Sequence, residues 1–153
     1  MTTSKRLAEL SIELPTTAAP VGSYVPARRT GDIVYTSGQL PFRSGELLYA
    51  GKVPADVSLE DAAKGAEIAV LNAVAAAAQA AGGVDAIARV VRVAVFVASS
   101  PGFTDQPKVA NGASDMLVKI FGEEGKHARA AVGVAELPLG SSVEVELMVE
   151  VSP

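Results

Sequence analysis

Between Ser142 and Val151 the chain alternates without a break. Val143, Val145, Leu147, Val149 and Val151 fall on one side of an extended backbone, and Glu144, Glu146, Met148 and Glu150 on the other. Successive side chains point to opposite faces of a strand, so the run predicts a strand with one wholly apolar face. That face has to be covered, and a helix for the purpose is written upstream. Ser58-Leu59-Glu60-Asp61 is a helix start, with Ser58 as the cap and Asp61 at the capping-box spacing. The helix runs to about Ala81 and stops at Gly82-Gly83. Its alanines, with Ile68, Leu71 and Val74, give a face suited to close packing. Gly65 inside it costs about 1 kcal/mol relative to Ala, unless a close backbone approach requires it.

The remaining elements follow from the same signals. Arg89 to Ala98 is a strand whose alternation is only partial, which predicts burial on both faces. A second helix starts near Thr104-Asp105, with Pro107 in its first turn, and ends at Gly122. Arg129 to Glu136 is a strand, joined to the alternating one by Leu137-Pro138-Leu139-Gly140. Asp32 to Ser37 and Leu47 to Ala50 are predicted to pair as a hairpin around the Ser44-Gly45 turn. A strand from about Val25 would sit at an edge because of Pro26. Residues 4–10 read as a short helix with Leu7 and Leu10 on one side, and Pro15 to Pro20 as a linker. The expected organisation is an N-terminal arm over residues 1–20 and one α+β domain over 21–153, a mixed sheet with two helices on one face. Two helices cover one face only. The other also carries apolar residues and calls for a partner, which favours a homo-oligomer.

Composition narrows the chemistry. The 153 residues include 27 Ala and 21 Val, enough for a core of small and β-branched units. There is no Cys and one His, His127. Disulfides, thiolate metal sites and a cysteine nucleophile are therefore excluded, as is any metal site needing two histidines from one chain. A net charge of −4 weighs against a nucleic-acid-binding face. The first residues are polar and charged, and Ile68 to Ala81 is too short to span a bilayer and is interrupted by Asn72 and Gln79. The expectation is a cytoplasmic protein with no secretory signal and no membrane contact.

Few residues remain that could carry a reaction. Glu144, Glu146 and Glu150 share the face opposite the valines. The pattern is that of a solvated acidic strand or of acids beside a subunit interface. Arg129 shares its face with Ala131, Gly133 and Ala135, small residues that would leave open space above the sheet or let subunits pack closely. If a pocket forms there, Arg129 is its anion clamp, because a guanidinium grips a carboxylate with two parallel hydrogen bonds and a lysine does not. His127, two residues earlier, is a base near neutral pH or a surface residue at a strand entrance. Ser37-Gly38-Gln39, at the end of a strand, is a pocket rim or a plain turn. No phosphate loop, dinucleotide fingerprint or zinc motif is present.

Taken in order, Gly22-Ser23-Tyr24, Tyr35-Thr36-Ser37-Gly38-Gln39-Leu40-Pro41, Ala128-Arg129-Ala130-Ala131-Val132, Leu137-Pro138 and Val143-Glu144-Val145-Glu146 resemble the YjgF/YER057c/UK114 family. This is also called the Rid, or reactive intermediate deaminase, family. The likeness runs from about residue 20 to 151. It implies a chorismate-mutase-like fold of the Bacillus type, a homotrimer with ligand clefts between subunits, and cofactor-free, metal-free hydrolysis of 2-imino acids to 2-keto acids and ammonia. It implies that Arg129 grips the substrate carboxylate and that Glu144 positions or activates the attacking water. Tyr24, Ser37, Gly38, Phe96 and Ala131 would line the pocket. Two other readings attach to the resemblance: a non-catalytic trimer that binds small carboxylates, and an endoribonuclease or translation inhibitor, against which the net charge weighs. His127 stands where the family commonly has Pro. The stretch Pro101 to Pro107 looks like one branch of the family.

Overall fold

The computed structural model describes residues 1–17, 20 and 22–153. Along those residues run α1 (Thr3–Glu9), β1 (Ala27–Thr30), β2 (Ile33–Thr36), β3 (Phe42–Arg43), β4 (Glu46–Leu47), α2 (Leu59–Ala81), β5 (Ile87–Ala98), α3 (Gln106–Phe121), β6 (Ala128–Val134) and β7 (Val143–Val151). Five strands form one sheet in the order β1-β2-β7-β5-β6, and β3 and β4 form a separate ribbon. β5 and β6 are parallel and the other neighbours in the large sheet are antiparallel, so the sheet is mixed.

The alternating run is β7, and its valine face is the core. Val143, Val145, Leu147, Val149 and Val151 are all buried, and Val93, Val95 and Val97 of β5 join them across the ladder. α2 and α3 cover this face. Ser58 caps α2 by accepting from the Asp61 N–H at 3.1 Å, and the helix closes on Gly82 in the left-handed region at φ 93°. Gly65 has the reason its cost demands. A Cβ there would lie 3.3 Å from Val143 Cγ2, so the missing side chain lets α2 settle onto β7. Gly112 does the same between helices, since a Cβ there would drive into the Ala63 backbone of α2, 2.8 Å from its carbonyl carbon.

Several expectations are corrected. The strand at 33–36 does not pair with residues 47–50. It pairs with β1 through a two-residue turn at Gly31-Asp32, and with β7 on its other side. The Ser44-Gly45 turn joins β3 to β4, with both turn residues at positive φ, 52° and 78°. Two-residue turns of this hand connect immediate neighbours, and each of the two turns closed its own short hairpin. Beyond Gln39, which still pairs with Val145 of β7, the chain leaves the large sheet, and the Asn72 side chain ties it to α2 by donating to the Leu40 and Phe42 carbonyls, 3.0 Å each. β5, by contrast, is buried or half-buried on both faces as expected, with only Arg89 exposed, and register shifts between Ile87 and Arg89 and between Val90 and Arg92 put its first part out of step.

In α1, Leu7 is buried but Leu10 is 41% exposed, because Leu10 is the residue that ends the helix. Ser4 ties α1 to the turn before β5, its N–H and hydroxyl donating to Asp85 at 2.7 and 2.6 Å. The predicted linker includes Ala18 and Ala19, and the predicted domain start is Val21. These three lie outside the described residues. No helix among the described residues is long and apolar enough to cross a membrane.

Candidate functional site

Glu144 lies on the face of the sheet that no helix among the described residues covers. It sits across from Phe96 in β5, and Phe96 in turn from Val132 in β6. The carboxylate leans over Gly38, which follows β2. A Cβ at Gly38 would come 2.7 Å from Glu144 Cδ, so only glycine leaves the acid its position. The backbone beside it is held by Gln39, which exchanges hydrogen bonds with Val145 at 2.8 and 2.9 Å. Glu144 is half-buried. That burial, and secondarily the charge of Glu146 two residues on, raises its carboxyl above the usual value. Such a group can hold and release a proton nearer neutrality than an exposed carboxylate.

The residues expected with it divide into two sets. Ser37 is next to Gly38, and its hydroxyl donates to the Val25 carbonyl at 2.6 Å while its N–H donates to the Pro26 carbonyl at 2.8 Å. These bonds fasten the Tyr24-Val25-Pro26 segment to the end of β2. Tyr24 is 52% exposed. Tyr24, Ser37, Gly38, Phe96 and Glu144 thus belong to β2, its flanks and the uncovered face. Nearby on that face, a shallow recess of about 130 Å³ is lined by Tyr35, Thr36, Arg92, Glu146, Leu147 and Met148.

Arg129 and Ala131 are elsewhere. The strand that carries them is not the neighbour of β7, because β5 lies between the two. A strand–helix–strand unit returning to the same sheet lays its strands parallel and side by side, as β5-α3-β6 does here. The register places Arg129 beside Val93 and Ala131 beside Val95, on the helix-covered side, at the open edge of the sheet. Arg129 Nη1 donates to Asn111 Oδ1 at 2.8 Å and to Ser114 Oγ at 3.2 Å, both on α3. Arg129 and Glu144 therefore project from opposite faces of the sheet within one chain.

The space expected above Gly133 is filled. A Cβ there would meet Gln106 Nε2 at 2.7 Å and Ser99 Oγ at 2.9 Å. Small residues on this face admit α3 and its leading turn, and Ala131 packs against the core. Ala135 lies beyond the end of β6. His127 is engaged through both ring nitrogens, Nδ1 to the Gly125 carbonyl at 2.6 Å and Nε2 to Ser114 Oγ at 2.9 Å. Asn111 and Ser114 carried no signal in the sequence. Their spacing puts them on one helix face, but only the fold sets that face over Arg129. Among the described residues, no three His, Cys, Asp or Glu side chains gather as a metal site.

The family model described as "YjgF/chorismate mutase-like, putative endoribonuclease" matches residues 4–151. The chain is 44% identical over 147 residues to Protein TCP17 of Trypanosoma cruzi, covering 95% of this chain and 92% of that protein. It is 31% identical over 140 residues to a 2-iminobutanoate/2-iminopropanoate deaminase of Dermatophagoides farinae, covering 90% and 93%. Among solved structures, that of Atu1372 from Agrobacterium tumefaciens, a protein of unknown function, superposes with a TM-score of 0.90 at 42% identity, covering 98% of this chain and 92% of that one.

Proposed function

Because the chain belongs to the YjgF/chorismate mutase-like family, we propose that it hydrolyses small 2-imino acids to 2-keto acids and ammonia. The observation that carries this reading is Glu144, a half-buried carboxyl resting on a glycine, with its proton affinity raised by burial. A carboxyl so placed can take up and return one proton. The resemblance to an iminobutanoate deaminase supports the substrate class.

Arg129 and Glu144 face opposite ways in one chain, so no four-carbon acid can touch both in a single copy. The proposed site therefore lies between copies in a homotrimer, Arg129 from one and the Glu144 face from the next. The uncovered face suits this arrangement, with Tyr35 44% and Val132 45% exposed among its charges. Arg129 holds the substrate carboxylate. This sets the C=N carbon beside a water that Glu144 orients. The water oxygen bonds to that carbon while the C=N electron pair moves to nitrogen. Glu144 takes the water proton and returns it to the nitrogen. The carbinolamine hydroxyl then gives its proton to Glu144, which passes it to the nitrogen; the C–N bond breaks, ammonia leaves and the carbonyl forms. Tyr24, Ser37, Gly38, Phe96 and the backbone of Ala131 line the site.

The test is ammonia and 2-oxobutanoate release from freshly generated 2-iminobutanoate. Arg129→Ala is expected to lose about a hundredfold in kcat/KM, roughly 3 kcal/mol, for a charge-assisted fork. Glu144→Gln should lose at least as much in kcat. Full activity in Arg129→Ala overturns the site. Binding of 2-oxobutanoate without turnover of the imine by wild type would instead make the protein a carboxylate-binding regulator.

A further inference from the structure

A guanidinium offers five N–H donors, and in Arg129 they are already divided. Nη1 donates to two acceptors on α3, Asn111 Oδ1 at 2.8 Å and Ser114 Oγ at 3.2 Å. Among the described residues no partner is seen for Nε or Nη2. The chain of bonds behind Ser114 has one consistent direction. The Gly125 carbonyl can only accept, so His127 Nδ1, 2.6 Å away, carries a hydrogen. In the neutral ring Nε2 is then an acceptor. The single hydroxyl proton of Ser114 goes to it across 2.9 Å, which turns a Ser114 lone pair to Arg129.

A free arginine side chain at an exposed strand edge would sample many rotamers, and a ligand would have to order it. Here α3 has ordered it already. With Nη1 engaged on α3, the edge left without a partner among the described residues is the one formed by Nε and Nη2. The geometry points to Asn111, Ser114 and His127 as positioning residues that hold Nη1 and present the Nε/Nη2 edge of Arg129 side-on to a planar carboxylate. The inference rests on Arg129 being the carboxylate clamp and adds what makes it selective: a preorganised edge matched to two coplanar oxygens.

The experiment uses the full-length protein, with wild type, Asn111→Ala, Ser114→Ala, Ser114→Thr and Arg129→Ala side by side. Dissociation constants are measured for 2-oxobutanoate and for 2-oxobutanamide, which lacks the charge and the second oxygen. Rotation of the Arg129 guanidinium is followed in the ligand-free protein by nitrogen-15 NMR. Asn111→Ala should weaken 2-oxobutanoate roughly tenfold, the effect of one hydrogen bond to a charged group. It should leave the amide unchanged, raise KM with little change in kcat, and speed guanidinium rotation. Ser114→Ala should act in the same direction, and Ser114→Thr should restore wild-type behaviour because it keeps the hydroxyl. If Arg129→Ala weakens 2-oxobutanoate but Asn111→Ala and Ser114→Ala bind and rotate like wild type, the positioning role is overturned and the clamp stands. If Arg129→Ala itself binds 2-oxobutanoate like wild type, the clamp fails and the positioning role fails with it.

Discussion

Glu144 shows how much one side chain owes to what is absent beside it. Its carboxylate occupies the space that any residue larger than glycine would fill at position 38. Burial raises its proton affinity, and Glu146 adds to that because two negative charges on one strand face oppose each other. In its proposed role as a base it must be ionised, so the rate should climb as pH rises through its raised value. Glu146→Gln removes the smaller of the two causes. The acid limb of the pH–rate profile should then move toward lower pH, by less than the full displacement because burial remains. A limb that stays in place or moves upward would show that the titrating group is not Glu144. Asp85 is displaced the other way. The Ser4 hydroxyl and N–H donate to it and hold its carboxyl below the usual value. Its contact is therefore complete above the ordinary carboxylate range and lost as pH falls through the lowered value. Hydrogen exchange should show α1 loosening in acid before the core opens, and Asp85→Asn should loosen α1 at neutral pH.

At the scale of elements, each long helix has a glycine where a neighbouring surface approaches, the sheet for one and the other helix for the second. Gly65 admits Val143 of the sheet, and Gly112 admits the backbone of Ala63. Gly112→Ala should therefore destabilise the protein even though Ala favours helix. The overpacking cost of about 1–3 kcal/mol exceeds the propensity gain of about 1 kcal/mol. A fall in Tm of a few degrees by calorimetry is the expected result, and an unchanged or raised Tm would mean that the helices part at no cost. The elements were largely legible beforehand. The cap at Ser58, the stop at Gly82 and the alternation from Val143 to Val151 act within a few residues, and local patterns record local causes. The pairing of Asp32–Ser37 with Leu47–Ala50 was misread for the same reason. Only the Ser44-Gly45 turn was read; Asp32, taken into the strand, belongs to the turn that joins β1 to β2, and the other neighbour of β2 is β7, more than a hundred residues away in the chain.

For the whole molecule, the decisive feature is the sheet with helices on one side only. Val132 and Tyr35 remain exposed on the other, among Arg92, Glu144 and Glu146. A covered face at this position should appear as a trimer mass in light scattering. Val132→Glu, which sets a charge where a subunit would pack, should shift the mass to the monomer. It should remove imine hydrolysis while far-ultraviolet circular dichroism stays native. A monomeric wild type with full activity would refute an intersubunit site.

The sequence by itself determined which residues could do chemistry and what secondary structure carries them. With no Cys and one His, few residues are left for chemistry; alternation puts Arg129 and also Glu144, Glu146 and Glu150 on strands, and the family resemblance picks out Arg129 and Glu144 among them. Only the tertiary structure decided how they stand to each other. The parallel β5-α3-β6 unit puts β5 between their strands, and the register then turns Arg129 to the helix side and Glu144 away from it. It also decided that Asn111 and Ser114 meet Arg129 and that the glycine at 38 serves Glu144. The physical reason is one of range. Alternation and capping arise from the geometry of neighbouring residues, whereas register and face are set by packing between segments far apart in the chain.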